Sequence, residues 1–405
     1  MHPEVNSYRG LLPLSLVVGV LSMLAPFSID TYLPSFPDIA AEFVASPLQM
    51  QQTMSLYLLA FALSTLFYGP LSDSFGRRPV AVAALLFYTF SSLGCMAAEN
   101  INQLIVFRIG QGLSASAGLV IGRAMIRDCV AGLLARRVMA RVMLIFALAP
   151  AVAPVMGGLL HDLFGWRSVF AFLSILVVVM MAMLLLGSRE TLPREGRHSI
   201  HPVMVGRAYG RALRHGRFMG LITSFALMFS AMFIYLAASP DIIYQHLGLG
   251  VNDFWIFFVP VVGGVVVGSQ LAGWLASRLT SEQTIRMGFV LMLAAACLNV
   301  MQGAWLPAAI LNVIAPPTIY VIGMSMAMPN ITLAALDCFP HNRGMASALQ
   351  SFSQMGLTAL VVGLVVPWVA GSITALAVTM LILSGAALLL WWGMRLDPAR
   401  GDREN

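Results

Sequence analysis

Two charged side chains lie in apolar stretches where a charge needs a specific environment. Arg108 falls within the apolar run from Ile101 to about Ile121, and Asp30 falls in the first apolar run. An arginine at the centre of a membrane helix costs roughly 2.5–3.5 kcal/mol on insertion scales, so such residues usually face the interior of a helix bundle and find a partner. The two residues therefore predict a buried pair of charges, either in direct contact or linked through Gln111 and water.

Asp30 is the acid best suited to exchange a proton, because Asp38 and Glu42 follow Pro34 in a predicted loop. Desolvation and a neighbouring guanidinium act in opposite directions on the protonation of a carboxyl group, so a group balanced between them can change protonation with conformation. We expect Asp30 to carry the proton, Arg108 to tune its affinity and Gln111 to hold the geometry. A purely structural ion pair between two helices is the alternative.

The elements that must position these residues are membrane helices. Hydrophobic residues make up 59% of the 405 positions and charged residues 10%, a balance that excludes a soluble globular protein. A spanning helix needs about 20 mostly apolar residues. Twelve runs qualify, near 11–34, 48–70, 79–98, 101–122, 138–161, 167–187, 218–239, 252–276, 284–303, 307–329, 345–367 and 373–394.

The arginines are concentrated in alternate loops and define an orientation. By the positive-inside rule, both termini and the central loop are predicted to be cytoplasmic, and no removable signal is expected. The domain prediction is an N-terminal six-helix bundle at 1–190, a linker at 191–217 and a C-terminal six-helix bundle with a short tail at 218–405. Since the first helix then runs outward and the fourth inward, Asp30 and Arg108 fall at similar depth, each about 6–10 Å inside the outer boundary.

The turn after the second run combines small and charged residues. Glycines permit unusual backbone dihedrals, Asp73 can accept hydrogen bonds from a helix N-terminus, and arginines can pair with acids on neighbouring helices. This pattern predicts a latch on the cytoplasmic side, whereas a short positively charged turn is the simpler alternative. The residues are Gly69, Asp73, Gly76, Arg77 and Arg78.

The fifth run contains two prolines followed by two adjacent glycines, Pro150, Pro154, Gly157 and Gly158. Proline removes a helical hydrogen bond and glycine permits close helix contact, so the segment should bend and pack tightly against a partner. Ordinary membrane helices also tolerate these residues.

Aromatic and methionine side chains offer surfaces for lipophilic compounds. Flexible methionines and aromatic rings suit a pocket that accepts varied ligands, although helix packing explains most such residues in a membrane bundle. The predicted substrate contacts are Tyr32, Met54, Tyr57, Phe61, Phe229 and Phe233.

Several of these stretches resemble the major facilitator superfamily. The turn is similar to its loop signature G-x-L-a-D-r-x-G-r-k, and the stretch from Leu104 through Arg108 and Gln111 to Ser116 is similar to its fourth-helix signature. The resemblance implies two pseudo-symmetric bundles of six helices and a cytoplasmic charge cluster of Asp73 and Arg77, which Asp128 completes.

Two further stretches resemble particular branches of that family. Pro154, Gly157 and Gly158 match the antiporter signature of the fifth helix, although alanine stands at 149 and 153 where glycine is usual. The run from Asp30 through Tyr32 to Pro34 looks like the D-x-Y-L-P element of the Bcr/CflA drug-resistance antiporters.

The predicted function is therefore proton-coupled efflux of small lipophilic drugs across the bacterial inner membrane, by a chain that acts as a monomer. The expected partners are a small-molecule drug or metabolite, protons and the lipid bilayer, without nucleic acid. No cofactor or metal is expected, since the proton gradient is the energy source. A dedicated exporter of a metabolite such as a nucleoside or amino acid is the second reading. An intramembrane enzyme is disfavoured, because no metal-ligand spacing, nucleophile elbow or phosphate loop is found.

Overall fold

The computed structural model describes residues 12–130, 132–193, 195, 197 and 202–396, and this part of the chain is helical without strands. It forms two compact units, Met1–His201 and Pro202–Asn405. The boundary between the units falls within the predicted linker 191–217. Part of that linker is itself helical, since α9 occupies Pro202–Arg214.

The first unit contains the predicted charge pair. Its described helices are α1 (Leu12–Ser22), α2 (Leu24–Asp30), α3 (Phe36–Glu42), α4 (Pro47–Phe75), α5 (Arg77–Met96), α6 (Ile101–Cys129), α7 (Gly132–Phe164) and α8 (Arg167–Gly187).

The second unit repeats the succession of long helices. Its described helices are α9 (Pro202–Arg214), α10 (Gly216–Ala237), α11 (Trp255–Leu275), α12 (Ser281–Trp305), α13 (Ile310–Asp337), α14 (Arg343–Leu364), α15 (Val366–Val369) and α16 (Ile373–Leu396).

The first predicted run is a broken helix in the structure. The chain turns at Met23 between α1 and α2, and a 3-10 turn at Leu33–Ser35 separates α2 from α3. Pro26 lacks the N–H that would continue the hydrogen-bond ladder across the first break. As a result, Asp30 is the last residue of α2, at the point where regular helix ends.

The long helices begin at side chains that satisfy their free N–H groups. Ser46 Oγ accepts from Gln49 N at 3.3 Å while Gln49 Oε1 accepts from Ser46 N at 2.9 Å, which is a capping box at the start of α4. Thr280 and Gln283 form the same box at the start of α12, at 3.2 and 2.9 Å. The two units therefore start one of their long helices by the same local chemistry.

Eleven helical segments among the described residues are long and apolar enough to cross a membrane. The difference from the twelve predicted runs lies at 345–367, where α14 has the required length. Its polar side chains keep its hydropathy below that of the other spans: Ser347, Gln350, Ser351, Ser353, Gln354 and Thr358. The helices also extend past several apolar runs. α6, for example, continues from the predicted end near 122 to Cys129 and carries Arg123 and Arg127.

Small residues allow the long helices to approach closely. A methyl group at Gly112 on α6 would overlap the Tyr57 carbonyl on α4, and one at Gly118 would overlap the Leu21 carbonyl on α1. Contacts of this kind let helix backbones pack without a hydrophobic driving force between the spans. In the first unit they bring α1 and α4 against the helix that carries Arg108.

Candidate functional site: a buried arginine between two tyrosines

The Arg108 side chain is completely buried, at 0% exposure, in the interior of the first unit. Its Nη1 donates to the Ser28 carbonyl at 3.0 Å, to Ser28 Oγ at 3.3 Å and to Gln111 Oε1 at 2.8 Å. Its Nε donates to the Thr53 carbonyl at 3.4 Å. These contacts hold the guanidinium against oxygen atoms from α2, α4 and its own helix. The dipoles of these carbonyl, hydroxyl and amide groups offset much of the free-energy cost of removing the charge from water.

Two tyrosine rings lie against the faces of this guanidinium. The Arg108 Cζ is 4.7 Å from the ring centre of Tyr32 and 4.4 Å from that of Tyr57. A cation at this distance from an aromatic face is attracted by the ring quadrupole, and the attraction increases when water is excluded. The Tyr32 hydroxyl lies 2.8 Å from Thr53 Oγ1, which fixes this ring against α4. Both tyrosines were predicted as substrate contacts, and the structure places them beside the charge.

Gln111 links the arginine to a further helix. Its Nε2 donates to Ser92 Oγ on α5 at 2.7 Å, while the Tyr88 hydroxyl, also on α5, donates to Ser28 Oγ at 2.8 Å. Sequence reasoning predicted Gln111 but missed Ser28, Ser92 and Tyr88. In the sequence, these three residues are marked only by a polar group within an apolar run, and such groups are common in membrane helices.

Asp30 lies in the same buried interior, with 2% of its surface exposed. Within the described ranges, its carboxylate forms no hydrogen bond and no ion pair, and the Arg108 Nη2 atom has no hydrogen-bond partner. The structure thus places the acid two residues after Ser28, the arginine's acceptor, without a direct bridge between the charges. Both groups retain unused hydrogen-bonding capacity.

The other predicted substrate contacts lie in both units. Met54 and Phe61 are 1% and 3% exposed on α4, and the ring centres of Tyr57 and Phe61 are 6.5 Å apart. Phe229 and Phe233 lie on α10 in the second unit, with ring centres 5.4 Å apart. The structure therefore places four of the six residues in the first unit, three on α4 and Tyr32 in the turn that follows α2.

The turn between α4 and α5 is organised around Arg77. The Arg77 guanidinium lies 2.5 Å from Asp73 and 2.9 Å from Asp128, and it donates to Ser72 Oγ at 2.8 Å. Gly76 has φ of +100°, a conformation that favours glycine. The structure thus joins Asp73, Arg77 and Asp128 in one cluster, whereas Arg78 points elsewhere and donates to the Leu185 carbonyl.

Glu190, which was not predicted, caps the start of α5. Its carboxylate accepts from the backbone N–H groups of Arg77 at 2.9 Å and Arg78 at 3.1 Å. A negative group is stabilised at a helix N-terminus by these free donors and by the helix dipole. The unusual dihedral expected of the glycines in this turn is found at Gly76 and not at Gly69, where a methyl group would also meet nothing within 4 Å. Its backbone needs no glycine for close packing.

The α7 helix continues through both of its internal prolines, Pro150 and Pro154. Gly157 and Gly158 are buried, and a methyl group at Gly157 would overlap the Thr31 carbonyl. The predicted tight packing therefore occurs, and its partner is the residue after Asp30.

A second polar cluster, here called the α3 clasp, joins α3 and the residue before it to the region where α7 ends and α8 begins. His161 lies 2.9 Å from Asp38 and 3.2 Å from Ser35. Glu42 accepts from Trp166 Nε1 at 2.7 Å and pairs with Arg167 at 2.7 Å. Sequence reasoning left Asp38 and Glu42 in a loop without partners. Their partners are more than 100 residues away, a separation that hydropathy does not detect.

No group of histidine, cysteine and acidic side chains suited to a metal ion occurs among the described residues. The four cysteines, Cys95, Cys129, Cys297 and Cys338, are free thiols.

Comparison with known proteins identifies the family. The Major Facilitator Superfamily sequence profile matches residues 18–361. Among relatives, the chain is 31% identical to the uncharacterized MFS-type transporter YdgK of Bacillus subtilis (strain 168), covering 94% of this chain and 93% of that protein. It is 26% identical to a bicyclomycin resistance protein homolog of Haemophilus influenzae, covering 88% and 86% of the two chains. It is 27% identical to a chloramphenicol resistance protein of Pseudomonas aeruginosa, covering 82% and 79%.

Solved structures support the same fold. The crystal structure of a D-xylose-proton symporter superimposes with a TM-score of 0.75 at 15% identity, covering 95% of this chain and 98% of that one. A bacterial homolog of the human lysosomal transporter Spinster gives a TM-score of 0.72 at 15% identity, covering 98% of both chains. With the profile covering most of the sequence, this chain is a multi-pass membrane transporter that belongs to the Major Facilitator Superfamily.

Proposed function

We propose that this transporter exports small lipophilic drugs in exchange for protons, and that Asp30 is the group that carries the proton. The observation that carries the proposal is the buried Asp30 carboxylate without a hydrogen-bond partner among the described residues, two residues after the serine that holds Arg108 in position. A carboxylate engaged in a full ion pair would resist protonation. An unbridged one can accept a proton when its surroundings change.

Arg108 has a positioning role in this proposal. Its bonds to Ser28 and Gln111 and its two tyrosine neighbours keep the positive charge in place whether Asp30 is ionised or neutral. The positive charge of Arg108 therefore sets the proton affinity of Asp30 electrostatically, without forming an ion pair that would exclude the proton. A membrane potential contributes about 2.3 kcal/mol per charge per 100 mV to inward proton movement. This energy can drive the export of an uncharged or cationic solute by alternating access.

The names of several relatives support a drug as the substrate. Relatives are named for resistance to bicyclomycin and chloramphenicol and for multidrug transport. Tyr32 and Tyr57 flank the buried guanidinium, and Met54 and Phe61 are buried on the same helix as Tyr57. Aromatic and methionine side chains of this kind suit lipophilic compounds with few fixed hydrogen bonds. Phe229 and Phe233 are the proposed contacts on the second unit.

We further propose that the chain acts as a monomer in the bacterial inner membrane, with both termini in the cytoplasm. The support is the distribution of arginines, which favours the cytoplasmic side for the loops that follow α4, α6 and α8. In this orientation the Arg77 cluster lies at the cytoplasmic end of the first unit and acts as its latch. The α3 clasp lies at the periplasmic end.

Everted vesicles provide the test, because drug-induced collapse of a proton gradient reports exchange directly. The wild-type chain is expected to respond to lipophilic cations and neutral drugs, and Asp30→Asn is expected to abolish the response while drug binding persists. Asp253→Asn is the matched control, since Asp253 is half-buried and its carboxylate accepts from the Gly250 backbone N–H at 2.8 Å. Intact proton-coupled export in Asp30→Asn would remove Asp30 from the mechanism.

The same vesicles separate the drug exporter from a dedicated exporter of a metabolite such as a nucleoside or amino acid. A response confined to nucleosides or amino acids, with none to any drug of the panel, would identify the metabolite exporter and contradict the drug proposal. The role of Asp30 is tested independently, because the Asp30→Asn comparison applies to whichever solute gives a response.

A further inference from the structure

Helix α9 carries a stripe of arginines on one side, defined by Arg207, Arg211 and Arg214. Spacings of four and three residues place these side chains on the same face of an α-helix. All three are exposed, whereas Ala212 on the other side is completely buried. The helix contacts α10 and α14. The arginine stripe therefore faces away from the second unit's core.

No acidic side chain among the described residues neutralises the arginines of this stripe. Within the part of the chain that the structure describes, no ion pair involves Arg207, Arg211 or Arg214. By contrast, Arg286 pairs with Glu282 at 2.8 Å and Arg343 pairs with Asp337 at 2.7 Å. Three uncompensated positive charges on one helix face attract an external anion.

The position of α9 specifies where that anion must be. His215 separates α9 from α10, and its Nδ1 accepts from Phe218 N at 3.2 Å, while its ring lies 5.3 Å from Phe339. The membrane span begins immediately afterwards at Gly216. Because one anchored residue joins the two helices, the stripe starts at the edge of the membrane, where phospholipid headgroups lie.

We propose that the α9 arginine stripe binds the headgroups of anionic phospholipids on the membrane surface. Each guanidinium can donate two parallel hydrogen bonds to a phosphate. The stripe extends over about 10 Å at 1.5 Å per residue, so it can contact more than one headgroup. A basic side chain next to an anionic membrane surface contributes about fivefold in affinity, and three of them act together. This binding concerns the surface of the second unit and does not depend on the transported solute.

The test uses the full-length purified chain in neutral detergent with short-chain phosphatidylglycerol, compared with short-chain phosphatidylcholine, and binding is measured by native mass spectrometry. The wild-type chain is expected to retain phosphatidylglycerol in preference to phosphatidylcholine. Arg207→Gln combined with Arg211→Gln and Arg214→Gln should reduce that retention at least about tenfold. The control combines Arg286→Gln with Arg343→Gln, which removes two exposed but paired arginines, and should bind as wild type does.

A second variant keeps the test valid if the glutamine variant does not fold. Arg207→Lys combined with Arg211→Lys and Arg214→Lys preserves the charge and should retain phosphatidylglycerol within about fivefold of wild type. Equal retention by wild type and the glutamine variant would overturn the proposal. So would displacement of phosphatidylglycerol by an equal concentration of inorganic phosphate, because the site would then be one for free anions. Binding is measured without transport, so neither result affects the proposed exchange reaction.

Discussion

Gln111 accepts a 2.8 Å hydrogen bond from Arg108, one turn earlier on the same helix, and passes the connection on to Ser92 at 2.7 Å. The amide has one acceptor and two donors, so it can receive the guanidinium and at the same time bond to α5. The position of the buried charge is therefore set by a neutral side chain. A lysine in place of Arg108 would lose both this geometry and the stacking on two tyrosines.

Gln111→Leu is expected to reduce drug–proton exchange by about one to two orders of magnitude, since a hydrogen bond to a charged group contributes about 1.5–3 kcal/mol. Initial rates of gradient collapse in everted vesicles measure the effect. Ser114→Ala is the control, because Ser114 bonds to the Gly110 carbonyl of its own helix at 2.8 Å. If both variants exchanged at the wild-type rate, Gln111 would have no part in positioning the charge.

Gly157→Ala should lower the thermal midpoint of the purified protein, because the added methyl group would overlap the Thr31 carbonyl. Overpacking of this kind costs about 1–3 kcal/mol. Gly69→Ala is the matched comparison, since nothing lies within 4 Å of a methyl group there. A larger loss from Gly69→Ala than from Gly157→Ala would contradict the close packing of α7 against the end of α2.

Asp128→Ala should destabilise the protein more than Asp73→Ala, although both acids contact Arg77. The Arg77 side chain is 7% exposed, Asp128 is 19% exposed and Asp73 is 50% exposed. Removing one partner of a buried ion pair lowers the free energy of unfolding by up to about 3–5 kcal/mol, whereas an exposed pair contributes about 0–1 kcal/mol. Thermal unfolding in detergent ranks the variants, with Asp337→Ala as an exposed reference, since this side chain is 64% exposed. The reverse ranking would show that Asp73 is the main partner.

His161→Ala should release α3 from α7, because the ring bridges Asp38 and Ser35. Hydrogen–deuterium exchange of residues 33–46 is expected to increase, while that of α5 should not change. His161→Gln retains one donor and one acceptor and should restore most of the protection. Unchanged exchange in the alanine variant would mean that packing alone holds α3.

Asp241 gives a pH-dependent prediction outside the membrane spans. Burial raises the pKa of the Asp241 carboxyl group above its ordinary value, and the charge of His246 lowers it in part. With the raised pKa, the folded protein binds more protons than the unfolded chain does. The stability that this group contributes is therefore present at acidic pH and is lost as pH rises through the folded pKa.

Asp241→Asn should accordingly raise the thermal midpoint at neutral pH and have little effect near pH 3.5, which lies below the ordinary pKa of about 3.9. The asparagine oxygen can still accept from Gln245 Nε2, which donates to Asp241 at 2.8 Å in the wild-type chain. His246→Gln should enlarge the pH dependence, because the opposing charge is removed. A midpoint difference independent of pH would exclude burial of this carboxyl group as its cause.

The sequence was sufficient to predict the all-helical major facilitator fold, since long apolar runs specify helices in lipid and the loop signatures specify the family. It was less informative about helix ends. α6 continues to Cys129, and α13 spans Ile310–Asp337 although its apolar run was placed at 307–329. The apolar run in the sequence ends where the hydrocarbon layer ends. The helix itself continues into the headgroup region, because its backbone hydrogen bonds do not depend on apolar side chains.

The candidate site could be predicted only for residues that are unusual in a membrane. Arg108 and Asp30 were identified because charges in apolar runs are rare. Ser28 was not, because a serine in a membrane helix is ordinary until its neighbour is known. Glu190 and His161 were missed for a different reason, since their partners lie far away in the chain. Whether Asp30 exchanges a proton stays a prediction.

The α3 clasp limits how Asp30 can exchange protons with two sides of a membrane. Asp38 and Ser35 are held by His161, and one turn earlier on α7 the backbone of Thr31 is packed against Gly157. Two successive turns of one helix thus fix the chain on the C-terminal side of Asp30. Piston-like movement of this segment along α7 would break both contacts at once. Access to the carboxylate should therefore change through the side chains and water around it, while its own backbone remains a stationary part of the first unit.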